Sequence, residues 1–236
     1  MSVNLLHGDS KDLIQDIASH SIDLILTDPP YNVAERSGGT IKMRGRKDMN
    51  TLVDEALWDK EKFVPQDWVT EFQRILKPTG NIFAFTSYAL FGKWHQAFDT
   101  AFTKFQFMVW HKTNPAPKVR KYSFLSACEL IVCMWNDGHT WNFGKQSEMH
   151  NFFEAPICMG KERLDHPTQK PLSILKHIIN IASNEGDTVF DPFMGVGSVG
   201  DACIRLNRKY IGIDSDKNYF NQAGKRLILP LEQNRT

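Results

Sequence analysis

Short apolar runs bounded by turn residues alternate along this chain with longer segments in which apolar residues recur at helical spacing. Seven runs are predicted to be strands: residues 4–7, 22–27, 81–86, 105–110, 129–135, 188–190 and 210–213. Six segments are predicted to be helices: residues 11–18, 66–76, 88–99, 172–183, 199–206 and 217–227. Strands that alternate with helices in this way predict an α/β sheet.

Two stretches lack either periodicity. Residues 32–59 are polar, contain glycine and are basic in their middle, whereas residues 136–165 mix aromatic residues, histidine and glycine. Loops of this length inside a compact domain are usually functional or disordered. With 236 residues, of which 42% are hydrophobic, the chain predicts one domain over residues 1–236 that carries these short insertions.

The composition argues against a membrane or disulfide-rich protein. No run of about 18 apolar residues is present, and the N-terminus lacks a basic stretch followed by an apolar one. The four cysteines, Cys128, Cys133, Cys158 and Cys203, show no zinc-site spacing. We therefore expect a cytoplasmic protein with reduced thiols, no metal site and no membrane association.

The net charge of +1 and the pI near 7.7 do not by themselves indicate a nucleic-acid-binding protein. Basic residues are nevertheless concentrated in two short segments. One contains Lys42, Arg44, Arg46 and Lys47, and the other contains Lys112, Lys118, Arg120 and Lys121. Such clusters suit phosphate contacts, but solvated loops explain them equally well on charge alone.

The first chemical motif is Asp28, Pro29, Pro30 and Tyr31, which directly follows the predicted strand 22–27. Ligands of open α/β sheets bind beyond the carboxyl ends of the strands, so this tetrapeptide occupies a favourable position for chemistry. The Asp28 carboxylate and the Pro29 carbonyl provide two acceptors, and Tyr31 provides an aromatic face. Together they suit a planar base that carries an NH2 group. The alternative interpretation is a strand-ending turn, in which Asp and Pro are common.

The second motif is a glycine loop between the predicted strand 188–190 and the helix 199–206. It begins with Asp191 and Phe193 and continues through Gly195, Gly197 and Ser198 to Gly200. Glycines in such a turn let the backbone and the helix amides approach a ligand closely. The strand 210–213 then ends at Asp214, where an acidic side chain suits ribose hydroxyls. This pair of features indicates a nucleoside cofactor. A nicotinamide-binding fold is the alternative, but too little chain follows the loop to complete it.

These motifs, in this order, resemble the β class of DNA amino-methyltransferases, which modify adenine N6 or cytosine N4. DPPY at residues 28–31 precedes HPTQKP at residues 166–171, and FxGxG follows at residues 193–197. The likeness extends over most of the chain, and the order and spacing are far more specific than any single motif. It implies a Rossmann-like, seven-stranded, S-adenosylmethionine-dependent methyltransferase fold in circularly permuted form. The N-terminal strand would then lie beside the strand that ends at Asp214.

The resemblance also implies roles for individual residues. DPPY would be the catalytic motif. The cofactor-binding residues would be Asp9, Thr168, Lys170, Asp191, Phe193, Gly195, Gly197, Ser198 and Asp214, with Asp9 at the adenine and the HPTQKP segment at the methionine end. The product of the cofactor would be S-adenosylhomocysteine.

The substrate implied by the resemblance is double-stranded DNA, from which the target base would be flipped into the site. Residues 32–59 are then expected to be a mobile DNA-contacting loop, and residues 136–165 a target-recognition insertion. Expected DNA contacts are Lys42, Arg44, Arg46, Lys47, Lys118, Arg120, Lys121, His139 and Lys145. A homodimer and a cognate restriction nuclease remain open as partners.

An Asp at the first motif position favours adenine N6 in this family, with cytosine N4 as the alternative. An RNA methyltransferase and a DNA-binding protein without catalysis are more distant alternatives.

Overall fold

The computed structural model of the chain describes residues 2–31, 63–117, 124–164 and 169–228. Its centre is an eight-stranded sheet in the order β1-β8-β7-β2-β3-β5-β4-β6. The strands are β1 (Val3–His7), β2 (Ile22–Thr27), β3 (Leu76–Thr86), β4 (Lys104–Lys112), β5 (Cys128–Trp135), β6 (Phe152–Ala155), β7 (Thr188–Asp191) and β8 (Lys209–Asp214). Among the described strands, only β5 runs antiparallel to its two neighbours, β3 and β4.

Helices cover both faces of the sheet. The α-helices among the described residues are α1 (Ser10–Leu13), α2 (Val69–Ile75), α3 (Tyr88–Phe98), α4 (Leu172–Ala182), α5 (Ser198–Arg205) and α6 (Lys217–Leu227). One apolar core packs α4, α5 and α6 against inward residues such as Leu24 and Leu26 of β2. A second core packs α2 and α3 against Ile25 on the opposite face. The alternation along β2 follows from the two-residue period of a strand. Because helices cover both faces of the sheet, β2 is apolar apart from Asp23 and Thr27 near its ends.

All seven predicted strands are present, but the sheet has an eighth strand, β6, in a region without apparent periodicity. The run Phe152–Ala155 is too short to show a pattern, and it becomes a strand by pairing in parallel with Val109 to Lys112 of β4. Strand β3 begins at Leu76, five residues before its predicted start. The first two predicted helices are shorter in the structure, because 3-10 turns occupy Ile14–Asp16 and Pro65–Trp68.

The N-terminal strand lies where the resemblance predicted. β1 pairs in parallel with β8, so that His7 is opposite Asp214. The cofactor-type strands β7 and β8 therefore come last in the chain but lie between β1 and β2 in the sheet. This order is the circularly permuted Rossmann-like arrangement. It brings the end of β2 and the end of β7 next to each other, since these two strands pair directly.

Candidate active site

The predicted catalytic motif and the glycine loop meet at one edge of the sheet. Asp28 immediately follows β2, Asp191 ends β7 and Asp214 ends β8, and these three strands are parallel. Because β5 is antiparallel, its first residues lie at the same edge, where Leu130 is opposite Thr86 at the end of β3. The edge therefore collects side chains from strands that are far apart in the chain.

Asp28 is held by two donors. The Tyr31 hydroxyl donates to Oδ1 at 2.6 Å, and the Lys170 ammonium donates to Oδ2 at 2.5 Å. Lys170 is only 5% exposed, and its Nζ lies 5.2 Å from the centre of the Tyr31 ring and 5.1 Å from that of Phe85. The resemblance predicted Lys170 at the methionine end of a cofactor pocket, whereas in the structure its ammonium contacts the carboxylate of Asp28, the predicted catalytic residue.

Two further charged residues complete this cluster. Glu129 of β5 lies with Oε2 3.4 Å from Lys170 Nζ and 3.3 Å from the Tyr31 hydroxyl. Its other oxygen, Oε1, pairs with the Lys112 ammonium at 2.6 Å. Sequence reasoning missed Glu129, and it grouped Lys112 with the basic segment that ends at Lys121. The available signal was a single acidic residue at the start of an otherwise apolar predicted strand.

The surroundings set the charge of these groups. Burial raises the pKa of Asp28, and Glu129 adds to this effect, while Lys170 opposes it. Burial alone would lower the pKa of Lys170, but the carboxylates of Asp28 and Glu129 outweigh it and raise this pKa. The pKa of Tyr31 is raised well above its usual value by burial and by the two carboxylates. Lys170 is therefore an ammonium ion, and Tyr31 is a neutral hydroxyl donor.

The glycine loop has the backbone that its sequence predicted. Gly195 and Gly197 have φ angles of 51° and 78°, in the left-handed region that side chains disfavour, and Gly197 caps the start of α5. Gly200 serves packing instead, because a Cβ there would lie 2.6 Å from Leu227 Cδ1 and 2.7 Å from Tyr210 Cε1. The loop therefore lies close over β8 and α6, with its backbone amides at the carboxyl edge of the sheet.

Asp191 connects this loop to the catalytic motif. Its Oδ1 accepts hydrogen bonds from the Thr27 hydroxyl at 2.8 Å and from the Phe193 amide at 3.1 Å. Thr27 is the residue that precedes Asp28. Asp191 is 2% exposed, and burial raises its pKa to about 7. A buried carboxylate of this kind is suited to receive a cation.

Asp214 orders the opposite side of the loop. Its Oδ2 accepts from the Gly195 amide at 2.8 Å and its Oδ1 from the Asp216 amide at 2.8 Å. Burial raises its pKa to about 6. The backbone carbonyl of Asp214 accepts from the Gly8 amide at 3.1 Å, which brings Asp9 to the same edge. Asp9 is exposed and caps α1 through the Lys11 amide.

Phe193 and Ser198 are turned toward the protein interior. The Phe193 ring packs edge-on against Trp68 and Phe63, with centroid distances of 5.0 and 5.7 Å. The Ser198 hydroxyl accepts from Arg226 of α6 at 3.2 Å and is buried. Both side chains therefore hold the loop in place, and their backbone is what remains available to a ligand.

The segment 136–144 lies away from Asp28. Trp135 is opposite Asn81, at the edge of the sheet from which β3 emerges, and His139 stacks on Trp135 with ring centroids 5.0 Å apart. The Thr140 amide donates to the Thr79 carbonyl, which anchors the segment at that opposite edge. Lys145 is exposed and begins a short 3-10 turn, Gln146–Glu148. His139 is thus not brought together with the predicted catalytic residues.

Several predicted residues lie outside the described ranges: Lys42, Arg44, Arg46, Lys47, Lys118, Arg120, Lys121 and Thr168, together with the expected DNA-contacting loop 32–59. Across the described ranges, no group of three or more His, Cys, Asp or Glu residues could hold a metal ion. In the same part of the chain, no helix has the length and apolar character needed to cross a membrane.

Comparisons with known proteins agree with this geometry. The family model described as DNA methylase, of the N6/N4 type, matches residues 22–225. The Type II methyltransferase M.HinfI of Haemophilus influenzae is 34% identical over 249 residues, which covers 94% of this chain and 67% of the relative. M2.LlaDCHI, a Type II methyltransferase of Lactococcus lactis subsp. cremoris, is 33% identical over 94% of this chain and 88% of its own length.

Solved structures show the same architecture. The crystal structure of the M1.HpyAVI–SAM complex matches with a TM-score of 0.72 and 28% identity, covering 96% of this chain and all of that chain. The cytosine-N4-specific PvuII DNA methyltransferase matches with a TM-score of 0.71, covering 97% of this chain and 87% of its own, but at 17% identity. The second likeness concerns the fold alone.

Proposed function

Because the chain belongs to the N6/N4 family of DNA methylases, we propose that it methylates the N6 amino group of adenine in DNA. It is a DNA methyltransferase, and its cofactor is S-adenosylmethionine. The observation that carries the choice of reaction is the position of Asp28, which lies one residue from Thr27, the partner of Asp191 at the glycine loop. A base held at Asp28 is thereby adjacent to the cofactor loop.

The residues at the loop fit this cofactor. Gly195 and Gly197 have the left-handed backbone that a side chain disfavours, which lets the loop turn tightly at the carboxyl edge of the sheet. Asp214 lies at the end of β8, where ribose hydroxyls can be bound. Asp191 offers a buried carboxylate to a ligand that carries positive charge. When bound, the cofactor supplies an electrophilic methyl group on a sulfonium. We assign Asp9, Asp191, Asp214 and the backbone of residues 193–198 to its site.

The protein's task is to make a poor nucleophile react. The lone pair of an exocyclic amino group is delocalised into the ring, so the nitrogen must be drawn toward a pyramidal geometry. Asp28 and the Pro29 carbonyl are proposed to accept its two N–H hydrogens, and the Asp28 charge stabilises the positive charge that develops on nitrogen. The proton released after transfer can pass to Asp28, whose pKa burial already raises.

Base binding is proposed to use the Tyr31 ring. Its hydroxyl is bonded to Asp28, and the Lys170 ammonium lies 5.2 Å from its centre, so the ring has a defined orientation before any base arrives. A base inside a duplex cannot reach this edge of the sheet, so flipping is required. Positioning of the two reactants then supplies much of the rate enhancement.

Adenine is favoured over cytosine because the motif begins with Asp28, which in this family goes mainly with adenine N6. Plasmid DNA methylated by the purified protein, digested to nucleosides and measured by mass spectrometry, tests the assignment. We expect N6-methyladenine nucleoside. A peak for the N4-methylcytosine nucleoside alone would show that cytosine is the target base, and it would leave the fold and the cofactor assignment unchanged. Methylated RNA in a parallel reaction would show that the substrate is RNA.

The expected DNA contacts remain proposals. Lys145 is exposed and available for a phosphate contact, whereas a contact from His139 would require DNA to reach the opposite edge of the sheet. A homodimer, a cognate restriction nuclease and the assignment of residues 136–165 to target recognition also remain predictions.

A further inference from the structure

We propose that Glu129 is a positioning residue that draws Lys170 away from Asp28 when the target amino group enters. This inference rests on the proposed function, because it concerns how Asp28 becomes available to the base. It adds Glu129 and its partner Lys112, on two strands outside the DPPY, HPTQKP and glycine-loop motifs, to the working parts of the site.

The starting point is the hydrogen bonding of Asp28. Both of its carboxylate oxygens have a donor, Tyr31 at 2.6 Å and Lys170 at 2.5 Å. An amino group that donates to Asp28 must share the carboxylate with the Lys170 ammonium, and the hydrogen bond between these two charged groups is stronger than one from a neutral amino donor. The ammonium therefore has to move, or its hold on Asp28 has to weaken, for the amino group to bind well.

A second carboxylate, that of Glu129, lies close to the Lys170 ammonium. The Lys170 side chain is 5% exposed, so bulk water does not take over its solvation, but Nζ already lies 3.4 Å from Glu129 Oε2. A displacement of about 1 Å would convert this contact into a full hydrogen-bonded ion pair. Glu129 thus provides a second resting position for the ammonium without exposing it.

Glu129 is suited to hold a fixed position. It lies on β5 next to β4, and its Oε1 is tied to Lys112 at 2.6 Å, with both side chains less than one fifth exposed. Lys112 itself lies 5.3 Å from the centre of the Trp110 ring. A carboxylate held by one lysine can receive the second without a large rearrangement.

The net charge of the cluster also predicts slower methyl transfer when Glu129 is neutralised. Among the described residues, the cluster contains two carboxylates, Asp28 and Glu129, and two ammonium groups, Lys112 and Lys170. Replacing Glu129 by Gln leaves a net positive charge beside the nitrogen on which positive charge develops, and it leaves Asp28 as the carboxylate partner of Lys170. Both effects disfavour transfer without touching the glycine loop.

The test compares Glu129→Gln with a matched control, Glu71→Gln. Glu71 of α2 also pairs with a basic residue, Arg74, at 2.7 Å, and its side chain is 27% exposed, but it lies outside the cluster. Single-turnover rates at saturating DNA and cofactor are measured against pH, together with cofactor affinity by calorimetry. We expect at least about a tenfold lower rate for Glu129→Gln, since misplacement at a reacting centre has effects of this size or larger. We expect the cofactor affinity of Glu129→Gln to equal that of the natural protein, and we expect the control variant to keep the natural rate and the natural affinity.

Two further readouts separate positioning from a structural role. Asp28 faces Tyr31, Lys170, Glu129 and, more distantly, Asp191. Removing the Glu129 charge lowers the pKa of Asp28, so the acid limb of the rate profile should move to lower pH. The double variant Glu129→Gln/Lys112→Met restores neutrality and should recover several-fold of the lost rate. Glu129→Asp keeps the charge, so its acid limb should stay in place.

The inference is overturned if Glu129→Gln reacts as fast as the natural protein. It is also overturned if the rate falls while the acid limb stays in place and the double variant recovers nothing. Should Glu129→Gln lose cofactor binding, Glu129→Asp decides, because its shorter carboxylate lies farther from Lys170 and a natural rate would refute the role. Failure of the proposed function appears separately, as DNA that the natural protein leaves without a methylated amino group.

Discussion

Cofactor binding should release a proton from Asp191 and therefore tighten as the pH rises toward 7. Asp191 is 2% exposed, and burial raises its pKa to about 7 in the free protein. S-adenosylmethionine carries a sulfonium and an α-ammonium group, both positive, at the proposed position of this carboxylate. A cation favours the ionised form, so the protonated form of Asp191 should bind the cofactor poorly.

The magnitude follows from linkage. If only ionised Asp191 binds the cofactor, the apparent Kd is multiplied by one plus the ratio of protonated to ionised Asp191. With a pKa of about 7, this gives a Kd that is about 16-fold weaker at pH 5.5 than at pH 7.0. Asp214, with a pKa of about 6, adds about fourfold over the same range if its ionised form binds the ribose.

Calorimetric titrations over pH 5.5 to 7.0 remain below the pKa of a typical α-amino group, at about 7.7 to 8.0. Runs in two buffers of different ionisation enthalpy count the protons released. Asp191→Asn can still accept the Thr27 hydrogen bond, and its Kd should lose most of its dependence on pH. Asp214→Asn should lose only the smaller, about fourfold part of that dependence. A wild-type Kd that is flat over this range, with no proton release, would refute the placement of the cofactor's charge beside Asp191.

Three other predictions concern single residues. Asp28→Ala should abolish methylation in a tritium-transfer assay while calorimetry shows retained cofactor binding, and substantial turnover would exclude its assigned role. Asp214→Ala should weaken cofactor affinity by about 1.5 to 3 kcal/mol, as for charge-assisted hydrogen bonds, and an unchanged Kd would count against the ribose contact. Gly200→Ala should lower the free energy of unfolding by about 1 to 3 kcal/mol in urea, because the added Cβ would lie 2.6 Å from Leu227. Its control, Gly224→Ala in α6, meets nothing within 4 Å and should be neutral or slightly stabilising.

The sequence by itself determined the parts of this protein whose chemistry is local. A buried apolar run ending in Asp28, and a strand that turns through Gly195 and Gly197 into a helix, can be recognised from neighbouring residues because their geometry depends on backbone conformation over a few positions. The family resemblance that the order of the motifs carries also predicted that β1 lies beside β8, and the structure confirms it.

Only the tertiary structure decided which side chains share the site. Glu129 and Lys112 are 17 residues apart and carry no motif, yet the antiparallel pairing of β4 with β5 brings them together and places them beside Lys170. Because β5 is antiparallel to its neighbours, Trp135 and the His139 ring stacked on it lie at the edge of the sheet opposite Asp28. Strand direction determines the edge at which a residue lies, and direction depends on long-range hydrogen bonding that no short window of sequence contains.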